Sequence, residues 1–171
     1  SMYFDFVSKI TNQWLAKFKK WWMRALVGGI ALGVMLYFFP LFYGEGYFNI
    51  RFILDNEIRD IIQQSVFSNV MVGDEGTMLV FFFLFIGKPL AASLTLHSGG
   101  DGGMFAPSFI TGGFLGYLFY LVLEYSYPGI SIDPVNYTLY GMSGMLAGVM
   151  HSPLTAIFII AEMTGGYQLF I

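Results

Sequence analysis

From Trp21 to Tyr43 the chain is apolar at every position except Arg24. A helix crosses the hydrocarbon of a bilayer in roughly 20 apolar residues. Inside that hydrocarbon, water is not available to satisfy backbone N–H and C=O groups, so a spanning segment must satisfy them within itself, as a helix does. The run therefore reads as a transmembrane helix, and Pro40 near its end bends or stops it. Thr77 to Ser98 offers a second span, interrupted by Gly87-Lys88-Pro89, and an apolar run from Phe105 to Tyr125 offers a third. Composition agrees. The chain is 56% hydrophobic and 11% charged, whereas soluble domains carry roughly 25% charged residues. The expected fold class is all-α integral membrane, with tilted transmembrane helices. Twenty-one glycines permit close helix contacts, and 19 Phe with 11 Tyr supply apolar bulk and interfacial rings. The lack of cysteine excludes disulfides and thiolate chemistry, and a formal charge of −3 leaves no basic patch for nucleic acid.

Residues 1–20 read as an amphipathic basic lead-in, in which Trp14, Leu15 and Phe18 alternate with Lys9, Lys17, Lys19 and Lys20. This pattern suits a cytoplasm-side membrane interface. Residues 21–171 form a membrane domain containing one wet linker at about 44–76. In that linker Glu45, Asp55, Glu57, Asp60, Asp74 and Glu75 outnumber Arg51 and Arg59. Lys88 is the exception within a span. A lysine at mid-membrane depth costs about 2.5–3.5 kcal/mol, so it is expected either to face protein, water or a carbonyl cluster, or to snorkel to an interface.

Two features point beyond simple spans. Thr138–Met150 and Pro153–Met163 are apolar pieces broken at His151-Ser152-Pro153, each well short of the roughly 20 residues needed to cross. Short broken helices of this kind meet around the substrate in transporters. The other feature is "HSGGDGGMFAP", a glycine cluster directly ahead of the third span. The first N–H groups of a helix lack intrahelical partners and carry the positive end of the macrodipole. Gly99, Gly100, Gly102 and Gly103 let the backbone turn so that the amides of Met104 and Phe105 converge as an anion site. The alternative is a plain glycine turn between two helices.

"GGMFAP", followed by "GMSGMLAGVMHSPLTAIFIIAEMTGGYQL", resembles the chloride channel and chloride/proton antiporter family. The first stretch is similar to that family's GxFxP motif, and the second to its APLT…EMT…YQL segment. The resemblance implies half of an inverted-repeat transporter fold with short re-entrant helices, and anion coordination at Gly103, Met104 and Phe105. It also implies chloride or a similar monovalent anion as the transported ligand, with no further cofactor. The implied setting is a lipid bilayer, in the cell (inner or plasma) membrane. The remaining half of the fold and, in full-length form, a second copy forming a homodimer are the implied partners. Tyr167 falls at the family's subunit interface. The family's GSGIP-type and GREGP-type elements, the latter bearing the gating glutamate, have no counterpart here. Asp101 is a further departure, because a carboxylate three residues from an anion-binding amide repels chloride.

No catalytic or metal-binding set is expected, and the chain is not expected to be an enzyme. Gly141-Met142-Ser143-Gly144 does read as GxSG, similar to the nucleophile motif of rhomboid intramembrane proteases, with His151 or His97 as the proposed base. A small serine packing against a neighbouring helix is the competing account of Ser143. A further alternative is an inert structural half-fold.

Overall fold

The computed structural model describes residues 2–44, 74–127 and 133–164, which are helical wherever they are regular. The elements are α1 (Met2–Ala16), α2 (Trp21–Phe38), a 3-10 turn (Pro40–Phe42), α3 (Asp74–His97), α4 (Phe105–Ser126), α5 (Pro134–Met150) and α6 (Pro153–Thr164). Three of them, α2, α3 and α4, are long and apolar enough to cross a membrane. The greater part of the expected wet linker, and Tyr167, lie outside the described residues.

α4 is the centre of the packing, lying between α3 and α5. Its Phe109, Ile110, Phe114, Tyr117 and Leu121 are all buried, and Phe81 of α3 seats its ring 4.4 Å from that of Tyr117 and 5.9 Å from that of Phe114. Hydroxyls buried here spend their protons on their own helix. Ser108 donates to the Phe105 carbonyl at 2.8 Å, Thr111 to that of Pro107 at 2.6 Å and Thr138 to that of Pro134 at 2.8 Å, which removes the cost of burying an unpaired hydroxyl. α4 and α5 meet backbone to backbone. A Cβ at Gly141 would strike the Gly112 carbonyl oxygen, and one at Gly116 would strike the Tyr137 carbonyl oxygen. Small residues spaced four apart let helices approach this closely, with dispersion replacing the hydrophobic drive that lipid cannot supply.

α5 begins at an Asp133 cap, whose carboxylate accepts from the Val135 amide at 3.0 Å, with Pro134 in the first turn. It ends at His151, whose backbone is left-handed with φ 53°. The Ser152 carbonyl then accepts from Ala156 N at 3.2 Å as α6 starts. The expected break at His151-Ser152-Pro153 is present, and two short helices flank it.

Two boundaries differ from those read in the sequence. α2 stops at Phe38 rather than running to Tyr43, because Pro40 has no N–H to continue the ladder and the chain tightens into the 3-10 turn. α3, in contrast, is not interrupted at Gly87-Lys88-Pro89 but runs through the triplet. Each member of the triplet has a packing role. The ring of Phe42 lies where a Cβ on Gly87 would be, Lys88 binds the turn that carries Phe42, and Pro89 is buried in the helix interior. Gly87 and Lys88 together form the seat for the 3-10 turn.

α1 packs along α3 through Phe4, Ser8, Thr11 and Leu15, a single helical stripe. Tyr3 donates its hydroxyl to the Ile86 carbonyl at 2.8 Å and stacks on Phe85. Burial pushes the Tyr3 phenol above its ordinary pKa. Arg24, the one charge in the first span, donates from Nε to the Phe18 carbonyl at 2.8 Å, bridging the bend between α1 and α2.

Candidate functional site

The glycine cluster divides into two halves with different work. α3 ends in a Schellman arrangement in which Gly100 N donates to the Thr95 carbonyl at 2.9 Å and Gly99 N to that of Leu96 at 3.4 Å. Gly99 has φ 101°, a conformation that side-chain-bearing residues rarely adopt. Gly100 lies against the Thr95 backbone, where a Cβ would meet the Thr95 carbonyl oxygen at 2.8 Å. These two glycines are a turn, as one reading of the sequence has it. Gly102 and Gly103 instead line a cavity of about 560 Å³.

That cavity is bounded by α2, the 3-10 turn, α3, the glycine loop and the first turn of α4. α4 begins at Phe105, with Met104 as its N-cap residue and no side chain capping it. The first intrahelical bond is Ser108 N to the Met104 carbonyl at 3.1 Å. Pro107 has no N–H, so the amides of Met104, Phe105 and Ala106 are the orphan donors of this helix. Among the described residues none of the three has an acceptor. Phe105, Ala106 and Pro107 all face the cavity. A Cβ on Gly103 would stand 4.0 Å from Phe105 N, an ordinary van der Waals contact. The Phe105 ring stacks on Phe109, with centroids 6.4 Å apart and planes at 10°, which anchors the helix start to the core.

Lys88 lines the same cavity. It is 2% exposed, and its Nζ donates to the carbonyls of Phe42 at 3.1 Å and Gly44 at 2.8 Å. Of the two expectations for this lysine the structure shows the carbonyl cluster, with no snorkelling. Asp101 also lines the cavity, but from its exposed rim, and its Oδ1 accepts from Gly102 N at 3.1 Å.

Of the three residues assigned from sequence, Gly103 and Phe105 line the cavity and Met104 caps the helix beside it. The Ala106 amide was legible by the same counting of orphan donors but was left out of the sequence assignment. Pro40 signalled a turn after the first span, but nothing in the sequence placed the Phe42 and Gly44 carbonyls against Lys88, because that contact joins positions about 45 apart. The protease arrangement is not formed. Ser143 donates to the Tyr140 carbonyl of its own helix at 2.9 Å, His151 is the exposed terminus of α5, and His97 Nδ1 lies 2.8 Å from the Ser93 carbonyl. Among the described residues no group of histidine, aspartate and glutamate is disposed to hold a metal ion.

A family model described as voltage gated chloride channel matches residues 1–171. The chain belongs to the voltage-gated chloride channel family. Members similar to it include the H(+)/Cl(-) exchange transporter ClcA of Vibrio cholerae serotype O1, 33% identical over 90 residues, which are 53% of this chain and 19% of the relative. ClcA of Vibrio vulnificus is 34% identical over 86 residues, 50% of this chain and 18% of the relative. ClcA of Citrobacter koseri is 30% identical over 152 residues, 88% of this chain and 28% of the relative. The chain thus spans less than a third of the length of these relatives. No solved structure matches it. Family membership agrees with the resemblance carried by GGMFAP and the later SPLT…EMT segment, and with an integral membrane protein of the all-α class. The rhomboid reading receives no support.

Proposed function

We propose that this chain is part of a chloride-transport pathway, in which the amides of Met104 and Phe105, joined by Ala106 and flanked by Gly103 in the cavity lining, coordinate the passing anion. The observation that carries this reading is the set of orphan amides at the start of α4, beside a cavity of about 560 Å³. Oriented N–H dipoles at a helix N-terminus compensate chloride for lost hydration. They do so without a full positive charge in contact with the ion, so release remains fast enough for conduction. Chloride as the substrate is supported by the names of the relatives. The exposed apolar faces of α2 (Leu26, Ile30, Val34) and α6 (Leu154, Phe158) suit lipid, the other half of the fold and a second copy in a homodimer. The exposed face of α1, with Phe6, Ile10 and Trp14 beside Lys9, suits the surface of the cell membrane.

The test is an amide-to-ester substitution at Phe105 in the full-length context. It removes one donor and leaves the shape nearly unchanged. Loss of a charge-assisted donor weakens chloride binding by about ten- to a hundredfold, read by calorimetric titration. Met104→Leu keeps most of the affinity, because its side chain is not the ligand. Unchanged affinity in the ester variant overturns the reading. A second expectation concerns the 171-residue chain alone in liposomes. It supports no selective chloride flux, because one helix N-terminus is a single wall of a pathway. Robust chloride-selective flux from the purified chain contradicts this.

A further inference from the structure

Asp101 is a carboxylate on the rim of a cavity whose inner surface offers N–H groups to an anion. It is exposed, and its one polar contact among the described residues is with the neighbouring Gly102 amide at 3.1 Å. That bond joins the carboxylate to a loop amide beside Gly103, on the exposed side of the cavity. Lys88, the one cation among the described lining residues, is buried and engaged with the carbonyls of Phe42 and Gly44. The exposed Asp101 carboxylate and the partly buried first turn of α4 thus share one cavity.

Resting on the anion-site reading above, we propose that Asp101 is a specificity-determining residue: a fixed charge at the cavity mouth that lowers anion affinity and discriminates against divalent anions. The physical reason is that Coulomb repulsion from the carboxylate scales with the ligand's charge. If one carboxylate weakens a monovalent anion by some factor, it weakens a divalent anion by about the square of that factor. A site of bare amides without such a charge has little means of refusing sulfate or hydrogen phosphate, which helix N-termini bind readily.

The experiment titrates chloride and sulfate into the full-length protein in mild detergent, at low ionic strength and again in excess potassium gluconate. Wild type is compared with Asp101→Asn, Asp101→Ala and Asp101→Glu. Asn retains an oxygen that accepts the Gly102 amide and loses only the charge, whereas Ala loses both. At low ionic strength Asp101→Asn binds chloride about two- to fivefold more tightly, and sulfate about four- to twenty-fivefold more tightly. The gain shrinks in high salt, as expected of an exposed charge. Asp101→Ala matches Asp101→Asn, and Asp101→Glu remains within about twofold of wild type. A change confined to Asp101→Ala identifies the Gly102 bond as the whole role and overturns the proposal. So does an equal gain for chloride and sulfate in Asp101→Asn, or no gain in a protein that binds chloride. If neither wild type nor any variant binds chloride, the anion-site reading fails, and the proposal fails with it.

Discussion

Gly141→Ala separates α4 from α5 and lowers the stability of the full-length protein by about 2–3 kcal/mol, the upper part of the usual cost of overpacking. The expectation rests on what the new methyl group meets. At Gly141 the nearest atoms are the Gly112 carbonyl oxygen and the backbone of Gly116, so no side chain can rotate to make room. The helices must move apart instead, and the contacts of Leu139, Met142 and Leu146, all 0–2% exposed, loosen together. Gly141→Leu prevents the pairing. Gly144, three residues along the same helix, is the internal control. A Cβ there meets nothing within 4 Å, so Gly144→Ala is neutral or stabilises by up to about 1 kcal/mol through helix propensity. Thermal unfolding of both variants in mild detergent measures the contrast, and coincident melting of Gly141→Ala and wild type refutes the backbone contact.

Lys88→Met destabilises by about 2–4 kcal/mol. The two charge-assisted bonds that Lys88 makes among the described residues, at about 1.5–3 kcal/mol each, are lost, and relief of the desolvation of a buried cation offsets part of that loss. The side chain is nearly isosteric, so the effect reports the carbonyls of Phe42 and Gly44 losing their donor rather than a new void. On the anion-site reading proposed above, chloride affinity falls as well, because the turn they belong to is one wall of the cavity. Lys88→Arg retains a cation and restores most of both properties. Unaltered melting and unaltered chloride titration in Lys88→Met sink this account. Unaltered chloride titration with reduced stability restricts the lysine to the scaffold.

The sequence alone determined the class of the molecule. Apolar runs of spanning length at α2, α3 and α4, with few charges, have no stable form in lipid other than helices. The break at His151-Ser152-Pro153 was legible too, because a proline disfavours continuation of the helix before it and each flanking apolar piece is short. The orphan amides at the start of α4 were also legible, since a glycine cluster, a helix start and a proline at its third position follow from local covalent chemistry. Tertiary structure decided everything that depends on which surfaces meet. Gly87-Lys88-Pro89 looks like an interruption in one dimension, yet it is a seat for Phe42 within an unbroken helix. Pro89 alone favours a break, but the contacts that hold α3 continuous come from residues far away in the chain. The same holds for the glycines. Their sequence does not distinguish Gly99 and Gly100, which end α3, from Gly102 and Gly103, which line a cavity, because that division depends on the length of α3 and on where α2 lies. Local bonding rules specify which backbone groups are left without partners, and only packing specifies what space those groups face.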